Sequence, residues 1–209
     1  MRPEATDLQP AKAPPPAWLA GCRAGEPGAI TRMFDEYLPV VERMLCRLVG
    51  PSADLEDLVQ NTFAEAIRAI HRYRGDASFK TWIISIAVHQ AQHHLRAGRY
   101  RRHVTLEVVP EERVATGHAE PERNIDERRI GPKLYALFDK ISAPKRVAFL
   151  LFAIEGRPVE EVAALMGASQ TATRSRVFFA RRELRALIAA DAELSALAAS
   201  LLGERREEA

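Results

Sequence analysis

Two stretches of this chain gather cations where acids are absent or nearly so. From His89 to His103 there are four arginines, Arg96, Arg99, Arg101 and Arg102, and no acid, while His89, Gln90, Gln92, His93 and His94 add hydrogen-bonding groups. Further on, five arginines, Arg174, Arg176, Arg181, Arg182 and Arg185, stand against the single acid Glu183. Guanidinium groups hold phosphate oxygens and short polar side chains reach base edges, so both stretches suit nucleic acid. A third stretch, Arg72-Tyr73-Arg74-Gly75-Asp76, joins an aromatic ring to two cations, a set suited to the unstacked bases of a single strand. Plainer readings stand beside these. Basic faces are often only solvated, and Trp82 with Phe79 and Ile86 reads as core rather than as a stacking platform. His89 and His93 would share one helical face, but no third ligand is apparent, so no metal is expected. Nothing brings a nucleophile, a base and an oxyanion site together, so no catalytic residue or cofactor is expected and the chain does not read as an enzyme.

Positioning these groups falls to helices. Helical periodicity dominates; the single β-like stretch is Val104 to Val109, and the fold class expected is all-α. Residues 1–28 read as a Pro-rich N-terminal extension, loose to about Pro16, with a short apolar stretch from Trp18. From Ala29 a stripe of Ile30, Met33, Phe34, Tyr37, Val41, Met44, Leu45 and Leu48 predicts a helix, with a kink or break at Pro39 and an end at Gly50-Pro51. A second helix, about Ser52 to Arg72, buries Leu55, Leu58, Val59, Phe63, Ala66, Ile67 and Ile70 and has Asp54, Glu56 and Asp57 in its first turn, where the helix dipole favours negative charge. Its polar strip of Asp57, Gln60, Asn61 and Glu65 is either solvated or meets a basic partner. Ser78 is the expected N-cap of a third helix that stops near Gly98.

Residues 104–127 are polar, rich in acids and without a stable period, and read as a flexible linker between two small helical domains, 29–103 and 128–190, with a tail at 191–209. In the second domain Ser142 and Pro144 form a cap and first-turn pair. A short helix from Pro158 to Met166, then Gly167 and a long basic helix to about Ala190 have helix-turn-helix character. Ala163 is small where two helices must cross, and Gly167 suits a left-handed turn. Ser169 or Thr171 can cap the basic helix.

Composition bounds the class. The 209 residues carry 30 Lys+Arg against 28 Asp+Glu and are 47% hydrophobic, room for one or two domains and unlike a disordered chain. Cys22 and Cys46 cannot form a disulfide framework or a four-cysteine zinc site, and a reducing compartment fits. No apolar run reaches the ~18–20 residues of a membrane span. The N-terminus has no apolar signal core. A soluble cytoplasmic protein with no membrane insertion of its own is expected.

Three blocks carry a family resemblance. Asp54-Leu55-Glu56-Asp57-Leu58-Val59-Gln60-Asn61-Thr62-Phe63 and Tyr73-Arg74-Gly75-Asp76-Ala77-Ser78-Phe79-Lys80-Thr81-Trp82-Ile83 resemble the second conserved region of bacterial RNA polymerase sigma factors. Glu155 to Ala163, with Arg174-Ser175-Arg176 and Ala180-Arg181, resembles the fourth. The likeness is to the extracytoplasmic-function (ECF) group of the sigma-70 family. It implies a subunit that binds core RNA polymerase and directs promoter-specific initiation. Asp57, Gln60 and Asn61 would dock on the β′ clamp helices, and the C-terminal domain would touch the β flap. Arg72, Tyr73, Arg74, Lys80, His89, His93 and Arg96 would melt and capture the −10 element. Ser169, Gln170, Thr171, Arg174, Ser175, Arg176, Phe178 and Arg181 would bind the −35 duplex. Many members of the family are held by an anti-sigma factor, so such a partner belongs to the expectation. The sequence departs from the family at His89, where many relatives carry Asn, at Thr173, a usually apolar position, and at Phe179, commonly a cation. The competing reading is a stand-alone helix-turn-helix regulator, which explains residues 158–182 but not the block from Arg72 to Trp82.

Overall fold

The computed structural model describes residues 16–50, 52–104 and 125–196, except for the side chains of 99–104 and 125–132. Every regular element among the described residues is helical. In chain order these are α1 (Leu19–Ala24), α2 (Pro27–Val49), α3 (Leu55–Ala69), a 3-10 turn (Ile70–Arg72), α4 (Phe79–Val104), α5 (Ile125–Lys140), α6 (Ala143–Phe149), a π-helical turn (Leu150–Ile154), α7 (Val159–Leu165) and α8 (Gln170–Ala189).

The N-terminal unit is α2, α3 and α4 packed together, with α1 against α2. Helix α2 has Pro27 in its first turn, where the missing N–H costs nothing, and ends at Gly50, whose φ of 85° few other residues adopt. It runs unbroken through Pro39, where a kink or break was expected. The stripe read from the sequence is its buried face, although Phe34 is partly exposed and packs at a tilt on Phe63. In α3 the buried row includes Thr62, whose hydroxyl donates to the Leu58 carbonyl at 2.8 Å, while Ile67 turns outward. Helix α4 does not stop near Gly98 but continues to Val104. Apart from Val104, the β-like stretch lies outside the described residues, as do most of the linker and the first 15 residues.

The C-terminal unit has its own small core of Leu137, Ile141, Ala180, Leu184 and Leu194. Its remaining apolar residues do not stay apart from the first unit. Val147, Leu150, Leu151, Val162, Leu165, Met166 and Val177 share one cluster with α2, α3 and α4. The carbonyls at the end of α2 receive donors from the other unit, although Cys46 O already accepts from Gly50 N at 2.8 Å. Arg146 Nε donates to Leu48 O at 2.8 Å and Tyr135 Oη to Cys46 O at 3.4 Å. Arg146 is 2% exposed, also bonds Asp139 at 2.6 Å, and lies over the rings of Tyr135 and Phe138. Arg47 and Glu155 form a further ion pair between the units.

Candidate nucleic-acid interface

The loop between α3 and α4 is built from its aromatics. Tyr73, Phe79 and Trp82 pack edge-on or tilted, with centroids 5.1–5.4 Å apart. Tyr73 Oη donates across the loop to Ala77 O at 2.8 Å, and Gly75 makes the turn at φ 75°. Ser78 caps α4 as expected, accepting from Thr81 N at 3.1 Å. Tyr73 is thus 4% exposed, and burial pushes its phenol up from the ordinary tyrosine range, with Asp76 adding to the shift. Its ring shapes the loop from within instead of standing at the surface. Arg72, Arg74 and Lys80 are exposed around it.

Along α4, His89, His93 and Arg96 are exposed, and Arg96 donates to Gln92 Oε1 at 3.3 Å. These residues follow one another at spacings of four and three, so they share a face. His94 turns away, 3.7 Å from Asp54. Among the described residues no three metal-ligating side chains gather.

The helix-turn-helix follows its expected local logic. Gly167 turns the chain at φ 59°. Ser169 Oγ accepts from Ala172 N at 3.2 Å, the N-cap of α8. Thr173 is buried, and its hydroxyl donates to Ser169 O at 3.0 Å, so an apolar position takes a polar side chain without an unpaired group. Gln170, Thr171, Arg174, Ser175, Phe178 and Arg181 are exposed, with Phe178 63% exposed. Arg176 is half-buried beside the row of Thr173, Val177 and Ala180. Arg174 lies 3.3 Å from Gln170 and 3.6 Å from Glu160. Phe179 carries two cations near its ring, Arg182 at 4.9 Å and Lys145 at 5.9 Å.

Asp57, Gln60 and Asn61 are exposed on α3, away from both basic helices in sequence, with Gln60 bonded to Glu56 at 3.3 Å. The structure brings together two elements that the sequence left apart. A Cβ placed on Gly167 would lie 3.5 Å from His89 Nε2, so the turn of the helix-turn-helix sits against α4.

One group of residues escaped the sequence reading. The segment containing α1 was expected to be an extension, yet Trp18, Leu19 and Cys22 are core. Trp18 meets Phe79 edge-on at 4.8 Å and donates to Glu36 at 2.9 Å. Arg23 donates to Tyr73 O at 2.7 Å. The apolar pair Trp18-Leu19 was a visible signal, too short to show a period.

Known proteins resemble this arrangement. Residues 33–101 match the family described as Sigma-70 region 2, and residues 133–184 match Sigma-70, region 4. The ECF RNA polymerase sigma-E factor of Escherichia coli K12 is 30% identical over 166 residues, covering 77% of this chain and 86% of that protein. The ECF RNA polymerase sigma factor SigE of Mycolicibacterium smegmatis is 32% identical over 151 residues, covering 71% of this chain and 57% of that protein. Among solved structures, CnrH in complex with the cytosolic domain of CnrY has a TM-score of 0.56 at 23% identity, covering 84% of this chain and 97% of CnrH. The sigma factor RpoE of Bartonella quintana, in complex with the anti-sigma factor NepR, has the same TM-score and identity over 77% of this chain and 97% of RpoE. These two share the fold. The order of the two matched regions and the identity to the sigma-E factors place the chain in a family: it belongs to the ECF group of sigma-70 RNA polymerase sigma factors.

Proposed function

We propose a division of labour for this sigma factor across its three exposed polar surfaces. The chain is a regulatory subunit that brings core RNA polymerase to promoters, and no residue is assigned a catalytic role. The observation that carries the reading is the separation of charge by element. The strip on α3 holds carboxylates and amides, while α4 and α8 present cations. Asp57, Gln60 and Asn61 dock on the polymerase β′ clamp helices. The apolar face of the C-terminal unit meets the β flap. Exposed Arg72, Arg74 and Lys80, with His89, His93 and Arg96 on the next helix, hold the opened −10 strand. Stacking and hydrogen bonding to an extruded base offset the few kcal/mol of unpairing. The exposed row Gln170, Thr171, Arg174, Ser175, Phe178 and Arg181, led by the cap Ser169, enters the major groove of the −35 duplex, with Arg176 at its side. The protein acts where polymerase and promoters are, in the cytoplasm; no described helix is long and apolar enough to cross a membrane. An anti-sigma partner belongs to the proposal, because RpoE was solved with the anti-sigma factor NepR.

Co-purification with bacterial core RNA polymerase tests the docking surface. The wild-type chain should bind stoichiometrically, and the Asp57→Ala/Gln60→Ala double mutant should lose binding by about tenfold or more while staying folded. Assembly undiminished in the mutant would move the docking surface elsewhere.

A further inference from the structure

Helix α1 and the Trp18 before it lie outside the span matched to region 2, yet Arg23 of α1 bonds the loop between α3 and α4, and Trp18 packs on Phe79 where that loop enters α4. The loop is pinned at three places. Within it, Tyr73 Oη closes the chain onto Ala77 O at 2.8 Å. At its end, Ser78 is held as the cap of α4. At its start, the Tyr73 carbonyl leaves the 3-10 turn and accepts from Arg23 Nη2 at 2.7 Å. The first two bonds are internal to the loop and to the helix it enters. The third comes from another part of the chain, 50 residues away.

We infer that Arg23 is a positioning residue that sets the path of loop 73–78, and through it the discrimination among bases at the −10 element. The inference rests on the reading of that loop as the base-capturing element. Arg23 itself is held in place by its helix. Trp18 is seated edge-on against Phe79 at 4.8 Å and against Tyr37 at 6.0 Å, and its indole N–H is bonded to Glu36. These contacts fix α1 in the aromatic core on which the loop also stands. A guanidinium–carbonyl bond is charge-assisted and directional, so it holds the carbonyl better than water does. The Tyr73 ring would stay in the core without it, through Phe79 and Trp82. Removing the guanidinium therefore loosens the loop's entry, and with it the placement of Arg72 and Arg74 on either side of Tyr73, without unfolding the domain. Arg23 is exposed, so a different role, direct contact with phosphate, has to be separated from this one.

Holoenzyme reconstituted from core polymerase and the full chain provides the test. The probe is a labelled pool of single-stranded deoxyoligonucleotides of random sequence, selected on wild type, Arg23→Gln and Arg74→Ala. Arg23→Gln should flatten base preference at the selected positions by about threefold or more, the worth of one modest hydrogen bond. Core assembly, the melting temperature and the salt dependence of binding should match wild type. Unchanged preference in Arg23→Gln beside altered preference in Arg74→Ala would leave the loop as a base reader and overturn the positioning role. Unchanged preference in both variants would overturn the reading of the loop and the inference together. Equal weakening for all sequences, with a salt slope smaller by about 1, would make Arg23 a phosphate contact and sink the proposal.

Discussion

In the proposed reading, single side chains decide which bases and phosphates this sigma factor holds. His89 is exposed on α4 with one ring nitrogen facing the Gly167 turn. A neutral imidazole offers one donor and one acceptor to a base edge. His89→Ala should lower discrimination at one −10 position by about fivefold, a neutral hydrogen bond's worth, and leave core binding intact. Selection on promoter variants reads this, and an equal loss for every −10 sequence would remove the base-reading role. Arg176 is proposed for a different role, as a phosphate contact, which carries no sequence information. Arg176→Ala should weaken −35 duplex binding across sequences and reduce the salt slope by about 1; titrations at several salt concentrations check it. Two departures from the family pattern have local explanations. Thr173 returns its hydroxyl to the backbone of its own helix, and Phe179 offers a ring to Arg182 and Lys145 where a cation is common.

At the scale of elements, α1, α2 and the loop before α4 share one aromatic floor, and its titration is a handle on it. Tyr37 is 9% exposed, and its phenol is pushed up to about 12, first by burial and then by its hydrogen bond to Glu36. The unfolded chain releases that proton near the ordinary tyrosine value, about 10. The folded chain therefore binds more protons between those values, and its stability falls as pH rises through that window. Below about pH 10 the contribution is whole. Thermal melts in alkaline buffers should show wild type losing stability between about pH 10 and 12, and Tyr37→Phe losing less of it. Parallel curves for the two proteins would mean that another group governs the alkaline limb. The elements themselves were largely readable from the chain: the apolar stripe of α2, the buried row of α3, the cap at Ser78 and the turn at Gly167 are all local facts of spacing and backbone freedom. The end of α4 was not, because Gly98 disfavours a helix by only about 1 kcal/mol and does not stop one.

Across the whole molecule, the two helical units are packed against each other. A Cβ on Gly167 would lie 3.5 Å from His89 Nε2, whereas the −10 and −35 elements follow one another along a single duplex. On the proposed −10 and −35 assignments, promoter engagement requires the units to part. The packing has a sensitive point at Gly50. Its φ of 85° strains any side chain, and a Cβ there would meet Tyr135 Cδ1 at 2.7 Å. Gly50→Ala should cost the closed arrangement about 1–3 kcal/mol, seen as a larger radius of gyration in small-angle X-ray scattering while helix content is kept. An unchanged radius would mean that Gly50 does not govern closure.

The sequence by itself determined the all-α class, two helical units, the helix-turn-helix and the family, because periodicity, caps, glycine turns and motif spacing are properties of neighbours along the chain. It also named candidate nucleic-acid contacts on the loop before α4, on α4 and on α8. Only the tertiary structure decided that Tyr73 is a buried strut, that Trp18 and Arg23 belong to the loop's foundation, and that Arg146 satisfies the Leu48 carbonyl at the end of α2. Each of these depends on a partner far away in sequence. Arg146 reaches a carbonyl 98 residues distant and Arg23 one 50 residues distant. A lone arginine looks the same in a sequence whether it faces water, phosphate or a buried carbonyl; what it faces is set by how the helices pack.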